Sequence, residues 1–424
     1  MTNIFPSFFV LHVALFILSF CLPTTTASTP LSSRFAHCSA TTNYDCGYQI
    51  GQSQAHRISK TLTTPHGQSL IQFITTEKGK SLYQYYYNLH VQVFPHLVDE
   101  IRGLAKGANV EFNHLFALNL EFELMSKGNV SNEGYVKGCT DYHVLGDVNA
   151  WGHNEDGALA DNDLFYFVAA NVTTALSSTI PPSLPSPSST SVPTSYFSFT
   201  YAGRLSGWAW SYNTHGLVFT VNGLYVLPYT KKGLGINFVA RDLLDAVSVS
   251  DVIVHASRSN QDGGSHFNIG DIHTKEQISI ETGSQGTTVQ LLDGTNGNAF
   301  YAHQNQYLHT DQPHYGDYIS SMYRMARTTT LVTRLTNAVD NNKGFILDVL
   351  GDQGGGTTND IYCIHRCNTK EDPYVTYVTV LVDLNEGMLS VWSNRTNSNS
   401  MKNWWWKVNL NELVLPSDLP VFPY

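Results

Sequence analysis

The sequence predicts a layered α+β protein with sheets covered by helices, and three observations carry that reading. An apolar pattern of helical period fills the chain from about Gln68 to Lys127. After Gly138, short β-branched and aromatic segments alternate with turn residues. Helical stretches then return between the strand groups, the arrangement expected of sheets with helical covers.

In the first region Val91, Phe94, Val98, Ile101 and Ala105 recur at spacings of three and four, which places them on one helix face. Gly107 and Asn109 stop that helix, and Phe112, Leu115, Phe116, Asn119 and Leu120 begin another. Pro95 has no N–H to donate and is expected to kink the helix that contains it. Strands are predicted at Leu164 to Val172, Tyr196 to Tyr201, Gly216 to Asn222, Glu276 to Thr282 and Phe300 to Asn305. A hairpin joins Val375 to Leu384 with Met388 to Trp392 through Asn385-Glu386-Gly387. Helices are predicted at Asn237 to Val247, Asp251 to Ser257 and Tyr318 to about Val339. Residues 173–195 are almost all Ser, Thr and Pro and cannot bury enough apolar surface to offset their ordering entropy. They read as a disordered insertion within a domain, with an interdomain linker as the alternative.

The apolar run Phe5 to Leu22, followed by Thr25-Thr26-Ala27, has the layout of a signal peptide over 1–27. Its n-region lacks Lys and Arg, so a signal anchor is the rival. Export also agrees with three glycosylation sequons, at Asn129, Asn171 and Asn394. Losing Cys21 with the signal leaves Cys38, Cys46, Cys139, Cys363 and Cys367, an odd number. Cys38 with Cys46 and Cys363 with Cys367 are locally placed pairs, although four cysteines allow three connectivities. Local pairing leaves Cys139 over. The net charge of −10 and the lack of a basic stripe argue against a nucleic-acid partner. No metal-binding spacing occurs, so neither a metal nor a cofactor is expected.

The chemistry concentrates in Lys137-Gly138-Cys139-Thr140-Asp141 and Gly152-His153-Asn154-Glu155-Asp156-Gly157. A cysteine nucleophile wants a base beside it. A cysteine that becomes a chain terminus brings its own, an α-amine of pKa about 7.7–8.0. Cleavage at Gly138–Cys139 would run through an N-to-S acyl shift and hydrolysis of the thioester, and Asp156 could then hold the new amine. Four rival readings use the same residues. His153 could activate Cys139 as in a papain-like dyad, although papain-like local signatures are absent and a turn role for His153 is preferred. Asp141, Glu155 and Asp156 could be paired carboxylates of a glycosidase, or solvated turn residues. Cys363, His365 and Cys367 could bind a metal. Trp208, Trp210 and Trp404 to Trp406 could line the groove of a binding protein, or form an exposed patch.

Several separated blocks resemble, in order, the N-terminal-nucleophile cysteine hydrolases related to penicillin (isopenicillin N) acyltransferase. They are KGCT with GHNEDG, Tyr201 to Leu224, Tyr301 to Leu308, Tyr318 to Met325, LGDQGGG and Val380 to Asn394. GHNEDGALADNDLFYFVAANV most resembles the β-alanyl-dopamine hydrolase branch. The resemblance implies a four-layer αββα sandwich, made as a precursor. Residues 28–138 would form a helical small chain, 139–424 the catalytic domain, and the cut chains would stay together as a heterodimer. It also implies Cys139 as nucleophile, Asp156 as the carboxylate positioning its amine, Asn305 in the oxyanion hole and Arg324 near the nucleophile, with Arg327 close by as rival. His153, Asn222 and Ser321 are placed in the substrate pocket. The implied activity is hydrolysis of a small-molecule N-acyl amide, with transfer from a thioester such as acyl-CoA as the alternative. The signal peptide and the Ser/Pro insertion are not features of the insect enzyme.

Overall fold

The computed structural model describes residues 31–128, 138–173, 194–224, 232–258, 261–294, 299–311, 318–335, 343–354, 363–369, 372–393, 395–402 and 404–412. The expected signal peptide, the sequons at Asn129 and Asn394, and most of the Ser/Pro segment lie outside the described residues.

A first strand, β1 (Phe35–Ala40), is followed by seven helices: α1 (Asn43–Ser53), α2 (Ala55–Thr63), α3 (Pro65–Phe73), α4 (Glu77–Val93), α5 (Pro95–Ala108), α6 (Phe112–Leu118) and α7 (Glu121–Gly128). Threonines start three of them: Thr42, Thr64 and Thr76 each accept a backbone N–H from the first turn of α1, α3 and α4. Pro95 does not kink a helix. It opens α5 at the position where a missing N–H costs nothing, so the expected single helix is two. Asn109 ends α5 in the left-handed region, φ 56°, a conformation Asn tolerates.

Helices α1 and α5 touch backbone to backbone. A Cβ on Gly47 would lie 2.1 Å from the Glu100 carbonyl oxygen, and one on Gly103 would lie 1.9 Å from that of Tyr44. Cys38 and Cys46 form a disulfide that ties β1 to α1.

The strands form two sheets among the described residues. The larger runs in the order β1, β4 (Phe165–Val172), β5 (Thr194–Tyr201), β6 (Trp210–Asn213), β7 (Leu217–Leu224), β8 (Gly264–Asp271), β9 (Gln277–Gly283) and β10 (Gly286–Leu291). The smaller runs in the order β11 (Phe300–His303), β2 (Gly138–Val144), β3 (Ala150–Ala158), β12 (Tyr374–Asp383), β13 (Met388–Trp392) and β14 (Trp406–Asn409). The strands β4 and β5, which flank the Ser/Pro segment, pair antiparallel from Phe165↔Tyr201 to Val172↔Thr194. That segment therefore leaves and re-enters one sheet at neighbouring strands.

The sheets face each other through β2 and β7. Trp151 of β3 donates to Thr220 of β7 at 3.2 Å, and Gly270 of β8 leaves room for the Trp151 ring. Outside the larger sheet, α1 packs on β1 and β4, and α9 (Val249–Ala256) on β8 and β9. Also on that side, Phe238 of α8 (Ile236–Leu243) stacks against Phe94 and His90. Outside the smaller sheet, α11 (Lys343–Leu350) packs on β2, β3 and β12, and α10 (Tyr318–Leu335) reaches β11. The result is a four-layer αββα sandwich.

Two expectations change. Residues 152–157 are not a turn but the middle of β3, fully buried. Trp208, Trp210 and Trp406 are core, not a groove: Trp406 packs against Phe35, Phe197 and Trp210.

Candidate active site

Cys139 is the second residue of β2 and is buried. On one side β2 pairs with β3, setting Cys139 directly opposite Glu155 and Gly138 opposite Asp156. On the other side β11 pairs with β2 only as far as His303↔Asp141. Continued by two residues, that register would bring Asn305 opposite Cys139. The strand ends first, and side chains take over the ladder. Cys139 N–H donates to Asn305 Oδ1 at 3.0 Å, and the Cys139 carbonyl accepts from Arg324 Nη1. Two buried backbone groups thus find partners where the sheet no longer supplies them.

Arg324 of α10 is buried and, among the described residues, donates to four groups. Besides the Cys139 carbonyl it meets Thr140 Oγ1 at 2.9 Å, Asn305 Oδ1 at 2.7 Å and Ser320 Oγ at 3.1 Å. Arg327, one turn on, binds Asp352 instead. The planar fork of Arg324 suits this work, since one side chain spans the backbone and two neighbours. Two donors meeting Asn305 fix its oxygen toward the Cys139 N–H, and its Nδ2 donates to the Gly223 carbonyl of β7 at 3.1 Å. In this uncut chain Asn305 therefore acts toward Cys139 as an acceptor. Ser321 lies behind Asn305, accepting its backbone N–H at 2.9 Å and donating to Gln306 Oε1. It positions that loop and is fully buried.

Strand alternation puts Cys139, Asp141, His153 and Glu155 on the face toward the larger sheet. Cys139 Sγ lies 3.2 Å from Glu155 Oε2, which is also 3.2 Å from His153 Nε2. The other Glu155 oxygen accepts from the Tyr201 hydroxyl. His153 Nδ1 meets Asp141 Oδ2 at 3.0 Å, and Asp141 Oδ1 accepts from Thr220 at 2.6 Å. Burial opposes a charge on His153, but Asp141 and the hydrogen bonds to Asp141 and Glu155 outweigh it and raise the pKa to about 10. Burial likewise acts to raise the Asp141 pKa, yet His153 holds it low. Burial, then Glu155 and Asp156, push the Cys139 thiol well above its ordinary value. His153 is thus a buried cation between two carboxylates, not the local turn residue expected, and it reaches the sulphur only through Glu155.

Asp156 points to the opposite face. Its Oδ1 accepts from Thr376 at 2.7 Å, while Oδ2 is buried with no hydrogen-bond partner. Burial raises its pKa to about 7 against the pull of Arg366 and Arg324. Asn222, on β7, pairs with His266 through Oδ1 at 2.8 Å, and its Nδ2 is likewise buried without a partner. Asn171 lies near the end of β4. Cys363 and Cys367, the second candidate pair, are not joined to each other in this structure: the Cys363 sulphur lies 3.0 Å from the Gln353 carbonyl oxygen, and Cys367 bridges by its backbone to Val375.

Cys139, His153 and Glu155 offer one donor atom each within 4.8 Å of one another. The thiol donates to Glu155 Oε2, which also meets His153 Nε2, so the three share one chain of hydrogen bonds. Sequence reasoning weighed Glu155 only as a glycosidase carboxylate or a solvated turn residue, and gave Tyr201 no role. Pairing the two strands would have found Glu155, because Cys139 and Glu155 are four residues either side of the register pair His143↔Trp151.

A family model described as acyl-coenzyme A:6-aminopenicillanic acid acyl-transferase matches residues 145–398, more than half of the chain. The chain belongs to that family. Its members are amide hydrolases and acyltransferases with N-terminal nucleophiles. The matched region starts just after β2, so Cys139 stands outside it. A β-alanyl-dopamine/carcinine hydrolase of Drosophila melanogaster is 27% identical over 215 residues, which is 50% of this chain and 54% of that protein. The chain spans about half the length of that relative. Solved structures with some similarity include a conjugated bile acid hydrolase from Clostridium perfringens, 15% identical, with a TM-score of 0.38 over 65% of this chain and 93% of the other. Another is penicillin V acylase from Agrobacterium tumefaciens, 10% identical, with a TM-score of 0.34 over 61% of this chain and 84% of the other.

Proposed function

We propose that this protein is a secreted amidohydrolase that cuts its own Gly138–Cys139 bond and then hydrolyses N-acyl amides through an acyl-thioester on Cys139. The observation that carries this is the clamp on the Cys139 peptide unit. The nitrogen of the bond to be cut is held by Asn305 Oδ1, the following carbonyl by Arg324, and the thiol sits beside a carboxylate. A buried cysteine whose backbone is gripped by side chains at a sheet's end is positioned, not merely packed.

After the cut, the α-amine of Cys139 takes the thiol proton in each turnover. The new ammonium has two acceptors nearby: Asn305 Oδ1, which already faces this nitrogen, and Asp156 Oδ2, a buried oxygen in want of a donor across the strand pair. Asn305 Nδ2 retains an N–H beyond the one given to Gly223, and that donor serves the oxyanion. Family membership and the relative in Drosophila support a β-alanyl or similar small acyl group on an amine. The family's own description supports a second outcome, in which an amine takes the acyl group in place of water. The small chain supplies β1 to the larger sheet, which favours a cut protein that stays together as a heterodimer.

Intact mass and N-terminal sequencing of the purified protein test this reading. A fragment beginning Cys-Thr-Asp-Tyr is expected, and it should be absent from Cys139→Ala. Full processing of the alanine variant would sink the nucleophile assignment. Competition between water and an added amine, read from the products of a β-alanyl amide, separates hydrolysis from transfer.

A further inference from the structure

We propose that Glu155 is the base that takes the Cys139 thiol proton when the chain cuts itself. The inference rests on the self-cleavage reading above and adds a residue to it. Before the cut the Cys139 nitrogen is an amide, donating its N–H to Asn305, and an amide nitrogen is no base. The base that serves every later turnover therefore does not exist for the first reaction. Yet the thiol is fully buried, so bulk water is not at hand to act as its base.

Glu155 is placed for the task by the ladder itself. It pairs with Cys139 in register, and its Oε2 is 3.2 Å from Sγ. Its geometry is locked by His153 on the same oxygen and by Tyr201 on the other. His153 is locked in turn by Asp141, and Asp141 by Thr220. The titratable and charged groups around Glu155 are Cys139 and Asp141 from β2, His153 and Asp156 from its own strand, Tyr201 from β5 and Tyr377 from β12. Of these, His153 holds its protons between two carboxylates, and Asp156 projects from the other face of the sheet.

The step balances. The Sγ proton passes to Glu155 Oε2 as Sγ bonds to the Gly138 carbonyl carbon. Glu155 returns that proton to the Cys139 nitrogen as the C–N bond breaks, leaving a Gly138 thioester and a free α-amine. One water then adds to the thioester carbonyl and the C–S bond breaks. The products are a Gly138 carboxyl group and a Cys139 thiol, with Glu155 unchanged.

The test follows the Cys-Thr-Asp-Tyr terminus by intact mass over time, from pH 6 to 9, in full-length wild-type, Glu155→Gln and Glu155→Asp chains, with folding checked by circular dichroism. General base catalysis is worth about 100- to 10,000-fold. Glu155→Gln should slow cleavage by at least about 100-fold, with a rate that climbs about tenfold per pH unit because the thiol must then ionise unaided. Glu155→Asp, which withdraws the carboxylate by one methylene, should be slower than wild type but keep the wild-type pH profile. It carries the test if the glutamine variant does not fold. A merely structural Glu155 would not steepen the pH profile. Wild-type rates and profile in the folded glutamine variant, or wild-type rates in the aspartate variant, overturn the proposal alone. An uncut wild-type chain overturns the self-cleavage reading and this proposal together.

Discussion

Replacing Arg324 with Met, in a Cys139→Ala background that keeps the chain whole, isolates what the guanidinium contributes to folding. The backbone carbonyl of residue 139 survives the alanine change, so the Arg324 contact to it is preserved in the reference protein. Of the four acceptors, the Ser320 and Thr140 hydroxyls can rotate to other partners, and Asn305 Oδ1 keeps the residue-139 N–H. Only the residue-139 carbonyl is stranded, at about 1–3 kcal/mol, and Asn305 loses a charged donor, at about 1.5–3 kcal/mol. The sum is about 2.5–6 kcal/mol, a large fraction of the roughly 5–15 kcal/mol by which domains are stable. With a urea slope of a few kcal/mol per molar, the unfolding midpoint should fall by on the order of 1 M or more. Arg324→Lys should recover part of this, because one ammonium cannot bridge the carbonyl and Asn305 as the fork does. Arg327→Met is a comparison one helical turn away, since Arg327 pairs bidentately with Asp352 instead of gripping residue 139. If Arg324→Met leaves the midpoint of the Cys139→Ala reference unchanged, the clamp does not hold the end of β2.

Two further outcomes are expected in the same uncut background. Burial opposes a charge on His255, but Asp242 outweighs it and raises the pKa to about 9. A raised histidine pKa stabilises fully below its unfolded value of about 6.5, and that stability is lost as pH rises through about 9. The His255 contribution to the unfolding free energy from urea melts should therefore fall by on the order of 3 kcal/mol between pH 6 and 10, and His255→Gln should remove that part of the slope while His153, raised to about 10, keeps its own; an unchanged slope in that variant refutes the assignment. In the helical layer, Gly47→Ala and Gly103→Ala should each cost about 1–3 kcal/mol or more, because the new methyl meets backbone that cannot yield. Thermal melts of the two variants check this, and a wild-type midpoint in either would show that α1 and α5 can separate at little cost.

The sequence displays α4 to α7 well because their apolar faces repeat at helical spacing and Thr76, Pro95 and Asn109 mark ends of α4 and α5, whereas α1 and α2 lie ahead of the stretch whose pattern reads as helical. It displays β4, β7 and the β12–β13 hairpin because those strands are β-branched and aromatic. It hides β3 and β8. Both turn polar residues into the space between the sheets, and glycines such as Gly152 and Gly270 sit where α11 or Trp151 leaves no room for a side chain. An interior so polar reads as a turn, which is how GHNEDG was misread. Cys139, Asn305 and Arg324 were legible as chemistry from their blocks, but not as neighbours, since residues 166 and 185 positions apart meet only through sheet register. Asp156 and Glu155, adjacent in sequence, project to opposite faces of one strand, a distinction that no spacing of acidic letters conveys.

The parallel pairing of β1 with β4 gives the molecule a history. While the chain is continuous, that outer strand, locked to α1 by a sulphur bridge, returns to its place at a rate independent of dilution. If the 138–139 bond is cut as proposed, the same strand would belong to a second chain, and every reassembly would become a two-body encounter. Such a protein should refold readily before the cut and poorly afterwards. Its active form would then be a state reached once, by a particular order of events, and kept by slow escape more than by equilibrium.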